Sequence, residues 1–474
     1  MSELLPASLL DRALRRITTV WRDMAAGVAG EPDASLEDRM RACLDGRGGE
    51  VSARNRAADL ARTYQGMSLD GRREFLLTLA GFDVDPAVVA AVHAKVAKAT
   101  DGAERATALV ALRRALEPPR LRLLTQFTSI PEGPKFLVDL RGFLMKTRGE
   151  DKLLGALDAD LRGLLAAWFD IGFLELRRID WSSPAALLER LIDYEAVHAI
   201  RSWTDLKNRL DSDRRCYAFF HPRMPHEPLI FVEVALVQGL SGSVQRLLDE
   251  SAPVLDPRHA DTAIFYSISN CQAGLAGISF GNFLIKRVVG ELSAEFRDLK
   301  TFATLSPIPG FRRWLDGRLK GDSFGLLTDE ESASLGSALP APTGAASLAG
   351  ILSRPAWWDD VALRKTAEPV LTRLCAGFLL NEGTGKRAQD PVAHFHLSNG
   401  ARIERLNMAA DTSDKGARES ATMMVNYLYD PAKIEDWHEA YAGEGTRTAS
   451  TAVRRLARGW PPAAPPRKNG AAKG

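Results

Sequence analysis

Three places in this 474-residue chain combine residue types and spacing that could do chemistry. The first is Thr262 to Val289, TAIFYSISNCQAGLAGISFGNFLIKRVV. A strand rich in β-branched and aromatic residues feeds a loop carrying Gly274, Gly277 and Gly281, and a helix is expected from about Asn282. Glycines let a backbone come close to a ligand, and the amides that open a helix attract anions, a diphosphate above all. A purely conformational use of these glycines stays open, and the spacing is not the G-x-G-x-x-G of a dinucleotide fold. The second place is Ser306 in LSPIPGF, Leu305 to Phe311. Pro307 and Pro309 stop a strand from continuing, which holds Ser306 at a rigid strand end, where a hydroxyl is positioned at low entropic cost. Capping the turn is its plainer use.

The third place is AHFHLSNGARIERL, Ala393 to Leu406. Asn399-Gly400 between two alternating runs predicts a two-residue hairpin, with His394 and His396 on one strand face. Such a pair could fill a core or hairpin face, could form two ligands of a metal whose third ligand has no recognisable spacing, or could supply a catalytic acid. Ser306 does not stand in a G-x-S-x-G elbow, which argues against a serine-hydrolase triad built on it. The GTGK at Gly383 to Lys386 lacks the rest of a P-loop and reads as a turn.

The elements around these residues fall into two regions. Residues 1 to about 180 read as nearly continuous helix, with Pro86 just inside the start of Asp85 to Ala99. In Leu153 to Leu176 a stripe of Leu153, Leu154, Leu157, Leu161, Leu164 and Leu165 suits one face of a helix in an up-and-down bundle. A further amphipathic helix follows Trp181-Ser182-Ser183-Pro184, and strands are expected at Cys216 to His221, Leu229 to Leu236, Thr262 to Ser269 and Met424 to Tyr429. A helical insertion should occupy Phe311 to Glu382, with a Gly/Ala/Pro/Ser-rich linker near residues 336–350, and the tail from Pro461 should be disordered. The division is therefore 1–180 for a structural or oligomerising helical bundle, 181–460 for a catalytic α/β domain and 461–474 for the tail.

With 62 basic and 60 acidic residues the net charge is +2, which gives no general field for nucleic acid or an anionic membrane. Cys43, Cys216, Cys271 and Cys375 are scattered, so a reducing compartment is the default, although lone cysteines can bridge subunits. No run of about 20 apolar residues suggests a membrane span. Glu3, Asp11 and Asp23 stand where a transit peptide avoids acids, so the N-terminus reads as the bundle's first helix. The chain ends Ala-Ala-Lys-Gly without a peroxisomal signal, and a cytoplasmic location is expected.

The stretch Gly277 to Leu284 resembles the pyrophosphate loop of the GCN5-related acetyltransferase (GNAT) fold. FYSIS, GLAG and FLIKRVV in succession, then SPIPGF, then PVAHFHLSNGA, are similar to the characteristic blocks of the malonyl-CoA decarboxylase family, in the same order. RRCYAFFHP with EPLIFVEVAL resembles that family's entry into its catalytic domain, and the likeness spans roughly residues 180–430. The resemblance implies an α+β protein, an all-helical N-terminal bundle followed by a GNAT-like mixed α/β catalytic domain with a helical insertion. It implies a malonyl-CoA substrate; no metal or organic cofactor is expected, because the thioester carbonyl is the electron sink, and the helical domain suits a homo-oligomer (dimer or tetramer). It assigns catalysis to Ser306 and His396 and binding of the CoA ester to Ala276, Gly277, Ile278, Ser279, Phe280, Gly281 and Asn282. Animal members carry an acidic residue where this chain has Ser279, so only the backbone role transfers there. Ser267 in the FYSIS strand is a further candidate donor to the malonyl group. The family describes its serine as a proton acceptor; an ordinary serine is a poor base, so an orienting role is expected for Ser306, with His396 as proton donor. An acyl-CoA-dependent acetyltransferase with an unknown amine acceptor, and a non-catalytic malonyl-CoA sensor, are the alternatives.

Overall fold

The computed structural model describes residues 34–45, 49–278, 283–321, 325–458 and 460. The expected first helix and the expected disordered tail lie outside these residues. Two compact units emerge: residues 1–175 with 220–229 and 271–279, and residues 176–219 with 230–270 and 280–474.

The first unit is built on helices, from Leu36–Leu44 through Lys152–Trp168. Five of the starts are written in the sequence: Ser35, Ser68, Asp85, Asp101 and Asp151 accept a hydrogen bond from a first-turn amide, which satisfies a donor that the helix cannot. Phe75, Leu76, Leu79, Leu124, Phe127, Leu137, Leu140 and Leu144 are wholly buried, and each such side chain contributes about 1.5–3 kcal/mol relative to exposure. The predicted leucine stripe buries Leu154, Leu157, Leu161 and Leu165, while Leu153 is exposed. That helix ends at Trp168, short of the expected Leu176. The apolar run Leu69–Lys98 has the length and composition of a membrane span, but it is two helices broken between Gly81 and Pro86.

The second unit holds an eight-stranded sheet. Its strands are β1 Glu175–Ile179, β2 Arg214–Phe220, β3 Pro228–Val237, β4 Thr262–Asn270, β5 Thr301–Thr304, β6 Ser306–Pro307, β9 Arg402–Asn407 and β10 Met424–Tyr429, in the order β1-β2-β3-β4-β5-β10-β6 with β9 on β10. Gly383–Thr384 and Arg387–Ala388 form a separate two-stranded hairpin, β7 and β8. β3 and β4 are antiparallel, whereas β4 and β5 are parallel, and the chain between them includes the helix Phe283–Glu295. A bulged strand, a glycine segment, a helix and a parallel partner in that succession is the expected acetyltransferase-like arrangement.

Three expectations need correction. β1 lies where continuous helix was predicted, because its order comes from pairing with β2, a partner that local periodicity does not encode. The expected linker at 336–350 is mostly helix, Asp329–Ala338 and Gly344–Ser353. Its small residues serve close packing: a Cβ on Gly344 would stand 2.6 Å from Ser332. The third correction concerns the histidines. Pro391–Ser398 is a helix, and Arg402–Asn407 alone is the strand of the expected hairpin. Asp390 caps the helix and Pro391 occupies its first turn, a start signal that outweighs Asn399-Gly400. Gly400 takes φ +75° just past the helix end, the left-handed position that glycine fills most cheaply.

Candidate active site

The two parallel strands part at one point. β4 and β5 pair from Thr262↔Thr301 to Phe265↔Thr304 and no further. On one side the β3–β4 register shifts, since Val234 pairs with Phe265 and Glu233 with Ser267, which leaves Tyr266 bulged out of the ladder. On the other side Leu305 gives its N–H to Phe265 O at 3.0 Å, and the chain then turns to β10, where Ser306 pairs with Val425. The opening is a cavity of about 270 Å³ walled by Phe265, Tyr266, Ile268, Asn270, Ser306 and Pro307, with Pro391, Val392, Phe395 and His396 of the helix and Val197 completing it. Among the described residues no lysine, arginine, aspartate or glutamate lines it.

Ser306 and His396 meet there. Ser306 Oγ is 3.0 Å from His396 Nε2, although 90 residues separate them, and the two residues are only 6% and 2% exposed. Asp390 sets their approach. Its Oδ1 accepts the Val392 and Ala393 amides at 3.0 and 2.9 Å, and its Oδ2 accepts the Gly310 amide at 2.9 Å. One carboxylate thus ties the turn after Ser306 to the start of the histidine helix.

On a helix, residues two apart point about 200° from each other. His394 consequently leaves the cavity and bonds the Tyr441 hydroxyl through Nδ1 at 2.8 Å. His396 Nδ1 instead lies 2.8 Å from the Tyr429 hydroxyl, and its ring stacks on Tyr427 at 4.5 Å. Burial pushes the Tyr429 hydroxyl well above its ordinary pKa, so it stays a phenol. Burial also pushes the His396 imidazole down to about 3, so the ring is neutral at pH 7. A phenol donates more readily than it accepts, and its O–H directed at Nδ1 places the ring proton on Nε2, toward Ser306. Ser306 Oγ in turn bonds Thr304 Oγ1 at 2.8 Å, and Thr304 Oγ1 accepts the Tyr427 amide at 3.1 Å. Tyr429 and Thr304 escaped the sequence reading. Tyr427 and Tyr429, two apart on an expected strand, share a face, but nothing local linked that face to a histidine.

Ser267 is not brought to the cavity. Its buried hydroxyl donates to Glu195 Oε2 at 2.7 Å. Of the expected diphosphate loop, Ser279, Phe280, Gly281 and Asn282 lie outside the described residues, while Ala276, Gly277 and Ile278 lie within them. The Ala276 and Ile278 amides are bonded inside the turn, to Ala273 O at 3.1 Å and Leu275 O at 3.0 Å. Gly277, at φ +74°, keeps an amide with no partner among the described residues. Gly274 serves packing: a Cβ there would stand 1.8 Å from Val138 O of the helix Gly133–Thr147.

The model of the malonyl-CoA decarboxylase C-terminal domain matches residues 172–465, and that of the N-terminal domain matches residues 82–169. The chain belongs to the malonyl-CoA decarboxylase family. It is 38% identical over 418 residues to the mitochondrial malonyl-CoA decarboxylase of Anser anser anser, covering 85% of this chain and 83% of that one. It is 37% identical over 442 residues to that of Mus musculus, covering 90% and 86%. The crystal structure of malonyl-CoA decarboxylase from Rhodopseudomonas palustris superposes with TM-score 0.81 at 40% identity, over 89% of this chain and 98% of that one. The enzyme from Agrobacterium vitis also gives TM-score 0.81 at 40% identity, over 90% and 100%.

Proposed function

We propose that this chain decarboxylates malonyl-CoA to acetyl-CoA and carbon dioxide in the cavity where β4 and β5 part, with Ser306 orienting the malonyl group and His396 supplying the proton. The observation that carries the reading is the 3.0 Å Ser306–His396 contact inside an uncharged cavity, in a chain of this family.

The carboxylate of the malonyl group leaves water for a space with no cationic lining among the described residues. Cleavage of the C–C bond relieves that cost, since the charge passes from the carboxylate into the thioester enolate and carbon dioxide leaves neutral. Ser306 holds the carboxylate so that the breaking bond stands perpendicular to the thioester plane, where its electrons overlap the carbonyl. The register shift that skips Tyr266 interrupts the ladder beside the cavity, and a backbone amide there is our candidate donor to the developing enolate oxygen. A carboxylate brought beside His396 favours the protonated ring, and Nε2 then delivers its proton to the carbanion carbon. One proton is consumed per turnover, and the Tyr429 oxygen follows the ring by accepting from Nδ1–H. Residues 276–282 of the glycine loop hold the CoA diphosphate.

The helices Pro86–Lys98 and Gly102–Ala115 pack on each other but bury no residue, and Val88, Leu109, Val110 and Leu116 are exposed. This apolar surface, unpartnered among the described residues, supports self-association into a homo-oligomer. Leu109→Glu with Val110→Lys should lower the assembly size in light scattering; an unchanged size would remove that surface from the interface.

The test of the activity is purified protein with malonyl-CoA alone. Equal yields of acetyl-CoA and carbon dioxide, with no amine acceptor present, are expected. Intact, stoichiometrically bound malonyl-CoA would favour a sensor.

A further inference from the structure

The helical unit supplies two arginines to the glycine segment. Arg141 of the helix Gly133–Thr147 is 3% exposed and neutralised by Asp158 at 2.9 Å. Its Nη1 donates to Gly274 O at 2.6 Å and to Ala276 O at 3.0 Å. Because the C=O and N–H of one trans peptide point in opposite directions, fixing Ala276 O on Arg141 turns the Gly277 N–H away from that helix. This is the amide that has no partner among the described residues. Arg162 of the helix Lys152–Trp168 donates Nη2 to Gly277 O at 2.9 Å. Its side chain is exposed and has no carboxylate partner among the described residues. A Cβ on Gly277 would make only ordinary contact with Arg162 Nε, at 3.9 Å, so it is the φ of +74° that calls for glycine here.

One guanidinium without a counter-charge and one amide without an acceptor, side by side on a rigidly held turn, suit an oxyanion that takes both charge and hydrogen bonds. We propose that Arg162 binds the diphosphate of the CoA ester directly and that Arg141 is a positioning residue which presents the Gly277 amide to it. This rests on the reading that the glycine loop holds the diphosphate.

The experiment compares malonyl-CoA with malonyl-pantetheine, which carries the same reacting group without the diphosphate, on the full chain. Wild type should prefer the CoA ester. Arg162→Ala should raise KM for malonyl-CoA about 10- to 100-fold, the scale of a charge-assisted hydrogen bond. It should leave kcat and the malonyl-pantetheine rate near wild type, and Arg162→Lys should recover part of the loss. Arg141→Lys, with folding checked by circular dichroism, should also lose preference for the CoA ester and keep the pantetheine rate. Retention of the wild-type preference by Arg162→Ala, or equal losses on both esters, would overturn the proposal. A wild type that uses both esters equally would overturn the diphosphate reading itself, and the proposal with it.

Discussion

Tyr429→Phe isolates the proton geometry of the site, because it deletes one oxygen and keeps the ring. That oxygen lies 2.8 Å from His396 Nδ1, and the residue is absent from the cavity wall. Without it, one nitrogen of a wholly buried imidazole loses its partner, at a cost of about 1–3 kcal/mol. The protonated ring also loses the oxygen that accepts from Nδ1–H, so the form that donates from Nε2 is less populated. At about 1.36 kcal/mol per tenfold change in rate, kcat should fall ~10- to 100-fold, while KM for malonyl-CoA stays within about twofold, as expected for a group outside the binding surface. Tyr427→Phe is the internal control. The Tyr427 hydroxyl is buried without a partner among the described residues, and its ring keeps the stack on His396 when the oxygen is removed. That variant should hold kcat near wild type and be no less stable. Steady-state acetyl-CoA formation, followed by mass spectrometry across a malonyl-CoA titration, reads both. A Tyr429→Phe enzyme with kcat within twofold of wild type, or with its whole loss in KM, would refute the reasoning.

Other outcomes follow from the same contacts. Asp390→Ala should cost about 2–4 kcal/mol, from the lost helix cap and the orphaned Gly310 amide together; unchanged unfolding in urea would show that Asp390 does not couple the two segments. Ser306→Ala should lower kcat and keep the fold, since Thr304 still accepts the Tyr427 amide; undiminished turnover would remove Ser306 from the chemistry. His396, buried with its pKa pushed down to about 3, also makes stability pH-dependent. Below about pH 6.5 the unfolded chain binds a proton that the native ring refuses, so stability falls as the pH drops toward 3, by up to ~1.4 kcal/mol per unit from this group. His396→Asn should flatten that slope in denaturant titrations between pH 7 and 5, and an unchanged slope would contradict the buried neutral ring.

Much of the sheet was legible because its central strands are short runs of β-branched and aromatic residues bounded by turn formers. β4 and β10 fall where those runs predicted them, within a residue. The histidine segment carries two competing signals, Asn399-Gly400 for a hairpin and Asp390-Pro391 for a helix start, and the second prevails. β1 was invisible because its partner lies far along the chain. The Ser306–His396 contact spans 90 residues, so no local pattern contains it; only the ordered family blocks pointed to both residues. Tyr429, Thr304 and Asp390 are legible only in three dimensions, because each acts on the site through a hydrogen bond to another element. The glycine segment shows the same limit. Spacing could not tell that Gly274 meets a helix backbone while Gly277 offers an amide.

The central claim is that a serine and an imidazole in an uncharged cleft turn a bound malonyl thioester into its acetyl counterpart. The most direct measurement is single-turnover mass spectrometry of His396→Ala with malonyl-CoA, alongside its binding affinity for the same ester. Retained binding with turnover reduced ~10²- to 10⁴-fold is expected, the scale of a lost general acid. Acetyl-CoA production at the wild-type rate would contradict the account.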